Sequence, residues 1–209
     1  MGGQAALDKL QSRIVIGNMV NRAGVSAPFT FEEKGAKFHA VVTDPKAPQN
    51  VGFDGKSGWL EYAGKVYDVE GFVLQQATRL NDLRRAADFS KRYTNLQAGR
   101  PTRLPARTPG SQAINVNLVQ GDVTPTVTER LFFDTTSGLL LRRQIISRAA
   151  LNGTLVETID YSDYKDVAGV QTPFTIRINN WDTVNTYTVV DVKPGAQIDD
   201  ARFGKPAGK

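Results

Sequence analysis

Thr126-Val127-Thr128-Glu129-Arg130-Leu131-Phe132-Phe133-Asp134-Thr135-Thr136-Ser137-Gly138-Leu139-Leu140-Leu141-Arg142-Arg143-Gln144-Ile145-Ile146-Ser147-Arg148-Ala149 is the stretch on which the fold turns. It holds two segments, Thr126 to Asp134 and Leu139 to Ala149, rich in the β-branched and aromatic residues that suit a pleated surface. Only Thr135-Thr136-Ser137-Gly138 separates them. Parallel neighbours need a crossover of a dozen or more residues, so four residues can join these segments only as an antiparallel pair.

The same style continues outward in both directions. Gln112 to Gln120 precedes the stretch, and Leu155 to Tyr164, Pro173 to Trp181 and Thr183 to Val192 follow it, linked by connections as short as Asn152-Gly153 and Asp182-Thr183. In the first half Arg13 to Val20, Pro28 to Glu33, Lys37 to Thr43, Asn50 to Phe53 and Trp59 to Tyr62 read as strands, the last two joined through Asp54-Gly55. Both residues of that dipeptide tolerate positive φ, which a tight turn requires. The predicted fold class is mainly β (α+β): a single curved antiparallel sheet or unclosed β barrel of about ten to eleven strands.

One segment breaks the pattern. Between Gly71 and Ala87 the apolar residues Val73, Ala77, Leu80, Leu83 and Ala87 recur every three or four positions, with Arg79, Asp82, Arg84 and Arg85 between them. That spacing predicts an amphipathic helix of about four turns, most easily placed as a lid across the apolar face of the sheet. The length of 209 residues suits one domain over 1–209. Within it, residues 1–10 read as the remnant of a truncated N-terminal helix, 71–87 as the lid, 99–110 as an exposed loop rich in proline and basic residues, and 194–209 as a C-terminal extension tied down by Ile198 and Phe203.

Composition closes several routes. There is no cysteine, which excludes disulfides, thiolate chemistry, iron–sulfur clusters and covalent haem attachment within this chain. No apolar run approaches the ~18 residues of a membrane span, so no transmembrane segment is expected. The net charge of +5 is uneven: Arg79 to Arg107 holds eight basic residues against Asp82 and Asp88, a local +6, and the remainder is −1. Such a segment points to an anionic membrane surface, with Arg79, Arg84, Arg85, Arg92, Arg100 and Arg103 as the contact residues, or to a solvated helix face and loop. Without a helix-turn-helix or an RNP-like aromatic pattern, nucleic acid is not an expected partner.

The chemistry of a hydrolase or a metal site usually needs histidine, and the chain has only His39, which alternation sets opposite Phe38 and Ala40. Asp160, Asp163 and Asp166 are spaced by three, whereas a calcium loop presents oxygens at alternate positions around a central glycine. Neither a phosphate-binding glycine loop nor a nucleophile elbow occurs. No catalytic residue, metal or cofactor is therefore expected, and the chain reads as not an enzyme. What stands out is apolar: Phe29, Phe31, Phe53 and Trp59 on early strands, with Val73, Ala77, Leu80 and Leu83 on the lid. These are expected to face a common concavity that holds a hydrophobic small molecule or lipid. The alternative is a filled core.

A family resemblance adds to this reading. Its residues are Gly2 to Leu7, Phe53-Asp54-Gly55 with Gly58-Trp59, Leu80 to Phe89, Leu131 to Asp134 with Thr136 to Arg143, Tyr161 to Tyr164 with Gly169-Val170 and Pro173-Phe174, and Ile198 to Phe203. With these the chain resembles the LolA/LolB-like lipoprotein-carrier superfamily. Within it the likeness is to bacterial outer-membrane lipoprotein-sorting homologues, some assigned to the C-terminal part of reaction-centre cytochrome c subunit proteins. The resemblance implies an unclosed half-barrel with a helical lid over a hydrophobic cavity. It further implies a periplasmic or outer-envelope location and a non-enzymatic lipid- or acyl-chain-binding role. The alternative function is a structural or interaction domain with a filled core, appended to a redox or envelope protein.

Overall fold

The computed structural model describes residues 3–46, 48–70, 89–105, 112–149, 153–180 and 183–206. These form fourteen strands: β1 Ser12–Asn21, β2 Ser26–Lys34, β3 Lys37–Val42, β4 Gln49–Phe53, β5 Gly58–Tyr62, β6 Lys65–Val69, β7 Thr94–Ala98, β8 Thr102–Leu104, β9 Ile114–Thr124, β10 Val127–Asp134, β11 Leu140–Ala149, β12 Gly153–Val167, β13 Val170–Asn179 and β14 Val184–Pro194. Helix is limited, among the described residues, to α1 (Gly3–Lys9), one turn at Phe89–Arg92 and a 3₁₀ turn at Asp200–Phe203. None is long and apolar enough to cross a membrane.

All fourteen strands join one sheet in the order β6-β5-β4-β3-β2-β1-β14-β13-β12-β11-β10-β9-β7, with β8 also on β9. The order has two ends, so the sheet is unclosed. Chain neighbours are also spatial neighbours along most of it, which is what short connections impose. The four-residue connection after β10 does pair β10 with β11 in antiparallel fashion, from Val127↔Ser147 to Phe133↔Leu140.

Fourteen strands correct the expected ten to eleven. The additional ones are β6, β7 and β8, all of five residues or fewer. β8 lies inside the stretch expected to be a loop, because Thr102, Arg103 and Leu104 pair with Val116, Asn115 and Ile114 and Leu104 is buried beside Val116 and Phe132. The lid helix expected over 71–87 lies outside the described residues. The N-terminal helix is present as α1, anchored by Leu7 and Leu10 against Val170. Ile198 and Phe203 are buried, as expected for the C-terminal segment.

The chain divides into two compact units, one mainly of Asp88–Tyr164 with Pro173–Thr186 and the other of Gly2–Ala87, Lys165–Thr172 and Tyr187–Lys209. They are called here the β9–β12 unit and the β1–β6 unit.

Candidate ligand-binding site

Directly opposed residues of antiparallel strands point to the same side, so the register of β1–β6 sorts its side chains onto two faces. One cross-strand row is Val15, Phe31, Ala40, Val51, Leu60 and Tyr67, one residue from each strand in turn. The next row is Arg13, Glu33, Phe38, Phe53, Gly58 and Val69, and a third begins Gly17, Phe29 and Val42. This face is apolar apart from the Arg13–Glu33 ion pair, which joins two charges across β1 and β2, and from Gln49 and Lys65, which open β4 and β6 at one end of it.

Three rings gather on its β14 side. Phe29 and Phe31 have centroids 4.6 Å apart, and Tyr187 of β14 meets Phe29 edge-on at 5.3 Å and Phe31 at 5.7 Å. Offset and edge-on pairs at such distances are worth about 0.5–1.5 kcal/mol each beyond the area they bury. Gly17 makes the arrangement possible: a Cβ there would lie 2.7 Å from the Phe29 ring and 2.2 Å from the Thr188 carbonyl oxygen. Burial is graded across the face. Phe29, Met19, Ala27 and Phe38 are enclosed, Phe31, Val51, Phe53 and Leu60 keep part of their surface, and Tyr67 is 48% exposed.

The opposite face is polar and strapped. Here Glu32, His39, Gly52, Trp59 and Asp68 form one row. His39 Nδ1 lies 2.8 Å from Glu32 Oε2 and its Nε2 lies 2.8 Å from Asn50 Oδ1, while Asn50 donates to Glu61 at 2.7 Å. Both imidazole nitrogens are thus engaged in a side-chain chain that fixes the ring. The C-terminal segment runs over this face. Lys34 Nζ reaches the Ile198 carbonyl and Asp200, Lys37 also reaches Asp200, Arg202 pairs with Glu32, and Lys205 pairs with Asp68. Trp59 donates its Nε1–H to the Phe203 carbonyl at 2.9 Å, and Phe203 is fully buried.

This corrects the expectation that Trp59 shares a concavity with Phe29, Phe31 and Phe53. The turn after Phe53 pairs Phe53 with Gly58 and Gly52 with Trp59. Trp59 therefore belongs to the strapped face, lying over Gly52 and 5.6 Å from the His39 ring. Phe29, Phe31 and Phe53 do share one face. Val73, Ala77, Leu80 and Leu83 lie outside the described residues, as do Arg79, Arg84 and Arg85. Of the remaining basic residues, Arg92 is half-buried, and Arg100 and Arg103 are exposed beside and on β8.

Sequence reasoning missed Tyr187, which reaches Phe29 from 158 positions away, and a buried charge cluster in the β9–β12 unit. There Arg143 and Glu129, both buried, form a two-pronged ion pair, Nη2 to Oε1 at 2.6 Å and Nε to Oε2 at 2.9 Å, and Tyr93 donates to the same carboxylate at 2.6 Å. Burial, the largest single influence, would lower the Arg143 pKa, but the charge and hydrogen bonds of Glu129 together with Tyr161 and Tyr93 outweigh it, and the guanidinium is pushed further up. On the strap, hydrogen bonds from Lys34 and Lys37 hold the exposed Asp200 carboxyl at about 2. Among the described residues no group of three His, Asp or Glu side chains is placed to hold a metal ion. Asp160 instead pairs with Arg142 at 2.7 Å.

No protein-family model matches the sequence, and no curated protein matches it. Solved structures do. A LolA superfamily protein from Nitrosomonas europaea superposes with a TM-score of 0.65 at 14% identity, covering 97% of each chain. A domain assigned as an outer membrane lipoprotein-sorting protein from Vibrio parahaemolyticus superposes with a TM-score of 0.60 at 10% identity, covering 95% of this chain and 92% of its own. Coverage of nearly the whole of both chains leaves the architecture in common: the chain has the fold of the LolA superfamily.

Proposed function

We propose that this chain is a non-enzymatic binding module for a lipid, an acyl chain or another hydrophobic molecule in the bacterial cell envelope, and that the ligand lies against the Phe31 face of the β1–β6 unit. The graded burial of that face carries the reading. Phe29, Met19, Ala27 and Phe38 make a fixed floor, and Phe31, Val51, Phe53 and Leu60 keep apolar surface that a ligand can cover. Removing apolar area from water contributes about 25 cal/mol per Å², so an acyl chain gains affinity there without any polar contact. The fold shared with LolA superfamily structures supports the same reading. Val73, Ala77, Leu80 and Leu83 join the site as sequence positions, through the apolar stripe that their spacing predicts.

The second reading, a structural or interaction domain with a filled core, draws on the floor residues, which protein alone already encloses. A paired measurement on Leu80→Ala separates the two. A ligand-contacting leucine costs less stability than the ~2–5 kcal/mol of a packed core leucine when cut to alanine, and binding of a lipophilic dye such as bis-ANS weakens more than folding does. A full core-sized loss of stability, with no dye bound by the wild type, supports the filled core.

A further inference from the structure

β1 to β6 are sequential antiparallel neighbours, so the connections β1–β2, β3–β4 and β5–β6 all lie at one end of the unit. They are Asn21 to Val25, Thr43 to Pro48 and Tyr62 to Lys65. Each presents one exposed cation, Arg22, Lys46 and Lys65 respectively. Successive connections are two strand spacings apart, which sets neighbouring turns about 10 Å and the outer two about 20 Å from each other. Asp44 is the one carboxylate in these connections, and it is buried, accepting from the Lys46 backbone N–H at 2.8 Å and from Asn21 Nδ2 at 3.4 Å. Asn21 Oδ1 in turn accepts from the backbone N–H groups of Ala23 and Val25, so the first connection is held in a fixed shape. At the third, Tyr62 is 63% exposed beside Ala63 and Gly64, both at positive φ in the tight turn that precedes Lys65. Val20, just before the first turn, is a further exposed apolar side chain.

We propose that this three-turn end of the β1–β6 unit docks on an anionic lipid surface, with Arg22, Lys46 and Lys65 against the headgroups and Tyr62 seated at the interface. Cations attract the headgroup charge, and an amphipathic tyrosine ring favours the boundary between water and acyl chains. An outward carboxylate would cancel part of that attraction, and the carboxylate of Asp44 is turned inward. The site differs from the basic segment of the other unit, where Arg103 stands on the edge strand β8 and Arg100 just before it. Charged and proline-bearing edges of that kind are ordinary protection against strand pairing. The proposal does not depend on what the Phe31 face binds.

The test is co-sedimentation of the full chain with sucrose-loaded vesicles, of phosphatidylcholine alone or with one third phosphatidylglycerol. Wild type sediments with the anionic vesicles and is released by high salt. The triple variant Arg22→Gln/Lys46→Gln/Lys65→Gln binds roughly a hundred-fold more weakly, about five-fold per cation, while its thermal unfolding and bis-ANS binding match wild type. Tyr62→Ser weakens binding with no change in charge. Arg100→Gln/Arg103→Gln leaves binding as in wild type. Equal binding to neutral and anionic vesicles, an undiminished triple variant, or loss confined to the Arg100/Arg103 variant overturns the proposal. So does retention on poly-glutamate with no vesicle binding, which assigns the end to an acidic protein.

Discussion

Replacing Glu129 by Gln keeps the shape of the side chain and removes its charge, leaving the Arg143 guanidinium buried opposite a neutral amide. Arg143 is fully buried and Glu129 nearly so, and the pair is joined by two hydrogen bonds of 2.6 and 2.9 Å. Solvent therefore screens little of the interaction. Breaking a buried pair from one side costs about 3–5 kcal/mol, because the remaining charge loses its compensation. At about 2–4 °C per kcal/mol for a chain of this size, the melting temperature falls by roughly 6–20 °C. Tyr93→Phe removes one charge-assisted hydrogen bond and costs about 1.5–3 kcal/mol. The double variant Glu129→Leu/Arg143→Met removes both charges, and replacing a buried pair by apolar groups is often neutral or stabilising. It should be more stable than either single change. Urea denaturation of wild type, Glu129→Leu, Arg143→Met and the double change closes one cycle, with Glu129→Gln and Tyr93→Phe measured beside it. A Glu129→Gln protein within 1 kcal/mol of wild type, or a double variant whose loss equals the sum of the singles, would refute the reasoning.

Three further outcomes are expected. The Asp200 carboxyl is lower in the folded chain, at about 2, than its ordinary value of 3.8, so its contribution to stability is present above 3.8 and is lost as pH falls toward 2; an acid titration of stability should be flatter between those values for Asp200→Asn, and parallel curves would count against the Lys34–Asp200–Lys37 contact. Phe203→Ala empties a fully buried site under the strap and should cost about 3–5 kcal/mol by denaturant titration; a loss under 1 kcal/mol would mean that the strap contributes little. Phe29→Ala should cost a similar amount, whereas Phe31→Ala, being half-buried, should cost less stability and more dye affinity; equal effects on both quantities would remove the distinction between floor and ligand surface.

Much of the sheet was legible because alternation and short turns leave few choices. The connection Thr135 to Gly138 alone fixed β10 and β11 as antiparallel neighbours, and His39 lies on the face opposite Phe38 as its parity required. β7 escaped because all five of its residues are exposed and Asn, Gln and Ala carry little strand preference. β8 escaped because three residues amid prolines and arginines give no periodic signal. The misplacement of Trp59 came from treating aromatic content as if it had a direction: across a hairpin that pairs Phe53 with Gly58, the next residue must point the other way. Tyr187 was illegible for a different reason, since the pairing of β14 with β1 closes over more than 150 positions and no local pattern encodes it. Glu129 and Arg143 look like surface charges in sequence, yet they lie on the buried side with Leu131, Ile145 and Ile159 and compensate each other there.

The claim of a hydrophobic ligand meets its most direct test in native mass spectrometry of protein purified from a bacterial cell, followed by organic extraction of the same sample. The account predicts a bound mass above that of the 209-residue chain, released on extraction as a lipid or fatty-acid species and diminished in Phe31→Ala. A spectrum of the bare chain alone, from protein that also fails to bind bis-ANS, would contradict it.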